Sequence, residues 1–278
     1  MEADFLKKHS LHKITSGFEL EFYITPPEKT LFTKITQEIQ QIEGIFEFKK
    51  ELGTNTTHSQ FEITTIPQDN LTKSCQILEN IRTQITNIFK KHNTFLSFNA
   101  TISEQLPPSS LQLNCCFWQK NSHKPIPHTN QTFQNITQNT IHSIIATTAL
   151  TSQTENCINR ICNLNFTKQF KNSPTNQTWG IENRTVAIRI AKLPNSEEIN
   201  RLELRTPSSY TNAHNIALAF LSSTETSTYY PQTFIDSYTS ESKFLPKTLN
   251  EAIDLFQTSE INKKIKKYLT QIWPTKES

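Results

Sequence analysis

The stretch GFELEFYIT, Gly17 to Thr25, sets two carboxylates, Glu19 and Glu21, at alternate positions between Phe18, Leu20, Phe22 and Ile24. Side chains of a strand alternate faces, so both carboxylates project from one side and the apolar set from the other. Four further runs repeat the pattern. QFEITTI (60–66) sets Gln60 and Glu62 against Phe61 and Ile63, and LQLNCCFW (111–118) sets Gln112 and Asn114 against Leu111 and Leu113. TVAIRIA (185–191) sets Ala187 and Arg189 against Val186, Ile188 and Ile190, and RLELRT (201–206) sets Arg201, Glu203 and Arg205 against Leu202 and Leu204. A plain solvated face carries dispersed charges. Here carboxylates and guanidiniums return at the same place in strand after strand, which points to a site for cations and phosphate. Carboxylates are hard oxygen ligands for Mg²⁺ or Mn²⁺, and arginine forks grip phosphate or carboxylate. A salt-bridge network holding the sheet together without a ligand is the alternative.

Something must cover the apolar side. PPEKTLFTKITQEIQQIEG carries Leu31, Ile35, Ile39 and Ile42 at helical spacing between its prolines and Gly44. A second helix is expected over 69–92, a third over 131–152 and a fourth after Asn212. Thr248 and Glu251 form a capping box for a fifth, over 249–272, with a break expected at Ser259. The fold class implied is α+β: a curved antiparallel sheet with helices packed on one face.

The chain's 278 residues are expected to form one domain, 1–278. A net charge of +3, from 28 basic and 25 acidic residues, argues against a nucleic-acid or anionic-membrane partner. Mean hydropathy is −0.53, and no apolar run is long enough to span a bilayer. The five cysteines show no metal-type pairing, and the first residues lack the apolar core of a secretion signal. A cytoplasmic location is expected. Cys115 and Cys116 alternate, so one should face the core and the other the site.

At this point the motifs resemble the catalytic domain of the glutamine synthetases. GFELEFYI is similar to that family's Glu-x-Glu strand, GIFEFKKELGTNTTHSQFEI to its Glu … Gln-x-Glu segment, and TENCINRI to its Asn-x-x-x-Arg stretch. WGIENRTVAIRI followed by RLELRTPSSYTNAHNIALAFLSS resembles its arginine-rich core, and LPKTLNEAIDLFQTSE a late family segment.

The resemblance implies an ATP- and Mg²⁺- or Mn²⁺-dependent ligase that joins glutamate or a similar acid to an amine through an acyl phosphate. It implies two metal positions: Glu19 and Glu203, with Gln112, for the ion that bridges the nucleotide phosphates, and Glu21, Glu62 and Glu51 for a second ion near the amino-acid substrate. Nucleotide positions would be Asn114, Arg184, Arg189 and Arg201, with Arg184 and Arg201 as the catalytic arginines. Arg160 and Arg205 would hold substrate carboxylates.

Departures accompany it. Only residues 1–16 precede Gly17, where the family carries a small β-grasp domain, so a separate partner supplying that domain is one expectation and a dodecamer is not expected. Gln112 stands where the family has a histidine, and the Glu51–Glu62 interval is longer than usual. NLNFTKQFKNSPTNQ lacks the acid that closes the family's site over ammonia, so an amine other than ammonia is the expected acceptor. A pseudoenzyme or half-enzyme with a binding role is the alternative.

Overall fold

The computed structural model describes residues 1–52, 58–162, 173–193, 196–223 and 242–266, the side chains of Leu52, residues 159–162 and Ser223 excepted. Its centre is an eight-stranded sheet built from β1 (Lys13–Ile24), β2 (Ile45–Leu52), β3 (Ser59–Thr65), β4 (Leu96–Ser97), β5 (Leu111–Trp118), β6 (Trp179–Ile181), β7 (Ile188–Lys192) and β8 (Ile199–Leu204). The strand order is β2-β3-β1-β5-β8-β7-β6, with β4 paired to β1. All pairings are antiparallel except β6 with β7, which run parallel.

Alternation decides which face is covered. Phe18, Leu20, Phe22 and Ile24 of β1 are buried, as are Phe61 and Ile63 of β3 and Leu202 and Leu204 of β8. They share one apolar cluster with the helices α1 (Glu2–Lys8), α2 (Lys29–Gln40), α3 (Leu71–Lys91), α4 (Gln131–Thr151), α5 (Glu155–Cys162), α6 (Ala213–Ser223), α7 (Leu249–Gln257) and α8 (Glu260–Ile265). Helix α3 starts at Asn70, whose side chain accepts from Lys73 N at 2.9 Å, and buries Leu71, Cys75, Leu78, Ile81, Ile85 and Phe89 along one stripe. Helix α4 is rich in threonine, and Thr137, Thr140 and Thr148 satisfy their buried hydroxyls on carbonyls one turn back.

The expected helices over 69–92 and 131–152 are found almost to the residue, and the expected break at Ser259 separates α7 from α8. Half of the capping box forms as expected, Glu251 N donating to Thr248 Oγ1 at 3.1 Å, while Glu251 Oε2 reaches one residue past the cap to accept from Lys247 N at 2.8 Å. The strand over 45–52 is not anticipated by simple alternation. Ile45 and Phe46 are adjacent apolar residues, and the strand bulges at Phe46, which leaves that ring 70% exposed. Residues 185–187, read as the start of a strand, form the turn that leads into β7. No helix among the described residues is long and apolar enough to cross a membrane.

Gly44 ends the α2–β2 connection at φ 95°, and a Cβ there would lie 2.6 Å from Ile77 Cγ2 of α3. Both strain and collision oppose any other residue. Gly44→Ala is therefore expected to lower stability by about 1–3 kcal/mol in urea unfolding, and an unchanged midpoint would show that the turn relaxes.

Candidate functional site

Strand register assembles the polar face. Across β2, β3 and β1, Lys49 stands opposite Glu62, and Glu62 opposite Glu21. Across β5, β8 and β7, Asn114 stands opposite Glu203, and Glu203 opposite Arg189. Glu19 lies between the two rows, opposite Gln112 and Thr64. Glu62 and Glu21, directly opposite each other, repel unless a cation stands beside them, and Lys49 does; in the other row Arg189 stands opposite the single carboxylate of Glu203.

Glu203 is the most enclosed acid, 1% exposed. Three guanidiniums reach it: Arg189 Nη1 at 3.1 Å, Arg201 Nη2 at 3.6 Å, and Arg205 Nη1 in a short contact to Oε1. Arg189 is clasped on its other side by Glu182 at 2.5 Å. Burial alone would lower its pKa, but Glu203 and Glu182 hold it above the ordinary guanidinium value. Arg201 also leans towards Glu19 Oε1 at 3.7 Å, while Asn114 Nδ2 donates to that same oxygen at 3.1 Å. Burial and the charge of Glu203 raise the Glu19 pKa against the pull of Arg201 and Arg205.

On the other side, Lys49 Nζ lies 2.8 Å from Glu62 Oε1, 3.2 Å from Glu51 Oε1 and 3.8 Å from Glu47 Oε2. Burial pushes the Glu62 carboxyl from 4.5 up to about 8, helped by Glu19 and Glu21 and opposed by Lys49. For Lys49 burial acts downwards, but Glu62 and Glu51 hold the ammonium well above its usual range. Of the two, the ammonium keeps its proton more firmly. Glu21 Oε2 accepts from Ser110 N at 2.6 Å. Gln112 bridges the halves: its Oε1 accepts from Arg205 at 3.2 Å, and its Nε2 donates to Ser110 Oγ at 3.1 Å and reaches Glu21 at 3.5 Å.

The structure thus brings Glu19, Glu21, Glu62, Glu203, Gln112, Asn114, Arg189, Arg201 and Arg205 onto one face, with Glu51 at its rim. Arg184 sits on the exposed turn before β7 and makes no ion pair among the described residues. Arg160 belongs to α5, and its side chain lies outside the described residues. Glu182 and Lys49 escape a reading based on paired carboxylates. Continuing the period-two count through 45–52 finds Lys49 on the face of Glu47 and Glu51, whereas Glu182, at φ 51° beyond a short strand, leaves no such pattern.

Among the described residues no three His, Cys, Asp or Glu side chains converge closely enough to hold a metal ion alone. An ion carried by a nucleotide needs less, because phosphate oxygens complete its shell. Glu19 fits that requirement, and Glu203 fits it where a phosphate oxygen takes over one of the arginines now on its carboxylate; Asn114 Oδ1 beside them is a buried oxygen with no hydrogen-bond partner. The Glu21–Glu62–Glu51 group does not fit a second ion, because Lys49 Nζ already occupies the space between the oxygens of Glu62 and Glu51.

Next to Glu19 opens a cavity of about 340 Å³, walled by Phe46, Pro67, Cys116, Trp118 and Leu193 and bounded by Asn114 and Arg201. Cys115 turns into the core, as the alternation requires. Burial raises the Cys116 thiol to about 12, so it faces the cavity as an inert, un-ionised wall.

The fold and site define an α+β domain with helices on one face of its sheet and a cluster of acids and arginines on the other. The sequence matches the catalytic domain of glutamine synthetase over residues 27–273, and the chain belongs to that family. Two solved structures share the fold. Ligand-free GmaS superimposes with a TM-score of 0.74 at 17% identity, covering 98% of this chain and 73% of its own. GmaS in complex with ADP gives 0.70 at 16% identity, covering 98% and 74%. Comparison with curated protein sequences gives no significant match.

The raised Glu62 carboxyl has a consequence for stability. A group shifted from 4.5 to about 8 on folding favours the folded state fully below about pH 4.5, and that contribution is lost as pH rises through about 8. Glu62→Gln removes the titration. Its melting temperature should fall less than that of the wild type over this window, and parallel curves from thermal melts at stepped pH would refute the assignment.

Proposed function

We propose that this chain binds ATP together with one divalent ion on the polar face of its sheet and uses it to join a carboxylic acid to an amine through an acyl phosphate. The observation that carries this reading is the continuity between the cavity and the charged array. Phe46, Pro67 and Trp118 offer flat apolar walls of the size a purine needs, and Glu19, Asn114 and Arg201 stand at the edge where phosphates would emerge.

In this reading Arg201 and Arg189 face the phosphates, and the unpartnered Nε of each is a donor awaiting an oxygen. Glu19 and Glu203, with Asn114 Oδ1, hold the ion. When bound, Mg²⁺ or Mn²⁺ supplies positive charge against the transferring phosphoryl group. Arg205, buried against Glu203 and Gln112, acts as a positioning residue that fixes the Glu203 carboxylate. The acid's carboxylate falls to Arg160, and the acceptor is an amine other than ammonia, since the segment after α5 carries no acidic side chain over 163–177 to take a proton from ammonium.

A second reading, a binding or regulatory domain without turnover, is favoured by the saturation of Glu203 with three guanidiniums. Calorimetric titration of ATP with and without Mg²⁺ separates the two. Metal-dependent binding, weakened about tenfold or more (about 1.4 kcal/mol) by Glu19→Ala but unchanged by Glu251→Ala in the α7 cap, is the expected result. No heat at millimolar ATP with metal present would reject nucleotide binding and leave the second reading.

A further inference from the structure

Lys49 stands among the acids to which the family resemblance gives a metal ion. It comes from β2 directly opposite Glu62, and its ammonium lies within 4 Å of carboxylates from Glu47, Glu51 and Glu62 on two adjacent strands. Two of those acids, Glu51 and Glu62, together with Glu21 across the strand pair, are the positions where the resemblance implies a second divalent ion.

We propose that Lys49 is a tethered cation that stands in for that second ion, so that the site takes a single divalent metal, carried with the nucleotide. The inference deepens the nucleotide-ligase reading and depends on it only for the first ion.

The physical case rests on charge, distance and tether. Glu21 and Glu62 face each other across β1 and β3, an arrangement that is unfavourable without a cation beside it. An ammonium is a compact point charge with three donors, and at 2.8 and 3.2 Å it already draws on oxygens of Glu62 and Glu51. A magnesium ion would need those oxygens at about 2.0–2.1 Å. Both cations cannot share them, since the contacts would overlap and the charges repel. The lysine has the advantage of its tether: backbone register delivers it to Glu62 at any metal concentration. Its neighbour Lys50 stands opposite Phe61 and makes no ion pair among the described residues, so the effect belongs to one position and not to local basic charge.

Counting bound Mn²⁺ on the full chain by electron paramagnetic resonance tests this, with and without ATP. Lys49→Met and Lys49→Gln are each expected to bind one more Mn²⁺ per chain than the wild type, and Lys50→Met the same number as the wild type. The melting temperature of the Lys49 variants should fall without metal and recover with Mn²⁺, while Lys49→Arg, keeping the charge, should gain no ion. Equal ion counts in the Lys49 variants and the wild type would overturn the proposal. Should neither neutral variant fold, Glu62→Gln decides: an unchanged Mn²⁺ count supports the proposal, and loss of an ion overturns it. A wild type without any ATP-linked Mn²⁺ would count against the nucleotide reading alone, because the Lys49 comparison is a difference between proteins.

Discussion

The polar face is organised around one buried carboxylate, that of Glu203. An acid 1% exposed is expensive to ionise alone, and an ion pair compensates only when its geometry and hydrogen bonding are good. Three arginines meet that demand, Arg201 from β8, Arg205 from the residue just beyond its end and Arg189 from β7 opposite it. Their guanidiniums must in turn be satisfied, which draws in Glu182, Glu19 and Gln112. The requirement propagates strand by strand until most of the charges on this side of the sheet have a stated neighbour.

The two ends of the face solve the same problem with different chemistry. On β7 and β8 the cations are planar, permanently charged and held from two sides, so their positions are rigid. On β2 the cation is an ammonium on a flexible stem, 42% exposed, at the open edge of the sheet. The rigid end suits oriented contact with phosphate oxygens. The flexible end supplies charge with little direction, and strand register keeps that charge beside Glu62.

Most of this could be read from alternation alone. Phe18 against Glu19, Phe61 against Glu62 and Leu202 against Glu203 assigned the faces, because period two leaves no other arrangement once a helical cover is expected. Helices α3 and α4 were legible because long stripes of Ile, Leu and Phe leave little ambiguity. Strand β2 was harder, since the bulge at Phe46 breaks the count and its charged residues resemble a solvated loop. Glu182 was hidden because a three-residue strand and a left-handed residue have no periodicity to read. Ion pairing between distant strands is a property of register, and register is set by tertiary packing that no single segment contains.

Gln112 shows how a substitution at one position can redirect such a face. A neutral amide accepts at one atom and donates at the other, and here Oε1 faces Arg205 while Nε2 faces Ser110 and Glu21. It therefore couples the arginine-rich half to the lysine-bearing half without adding charge between them. A neutral imidazole at that place would offer one acceptor and one donor on a rigid ring, and bound to a metal it would withdraw its acceptor from Arg205. With an amide there, Arg205 keeps an oxygen partner beside Glu203, and Glu21 keeps a donor beside its repulsive neighbour Glu62. Where the family resemblance implies a histidine, the amide thus leaves the protein's own cations as the source of positive charge on this face. That is the direction in which Lys49 points independently, from the opposite edge of the sheet.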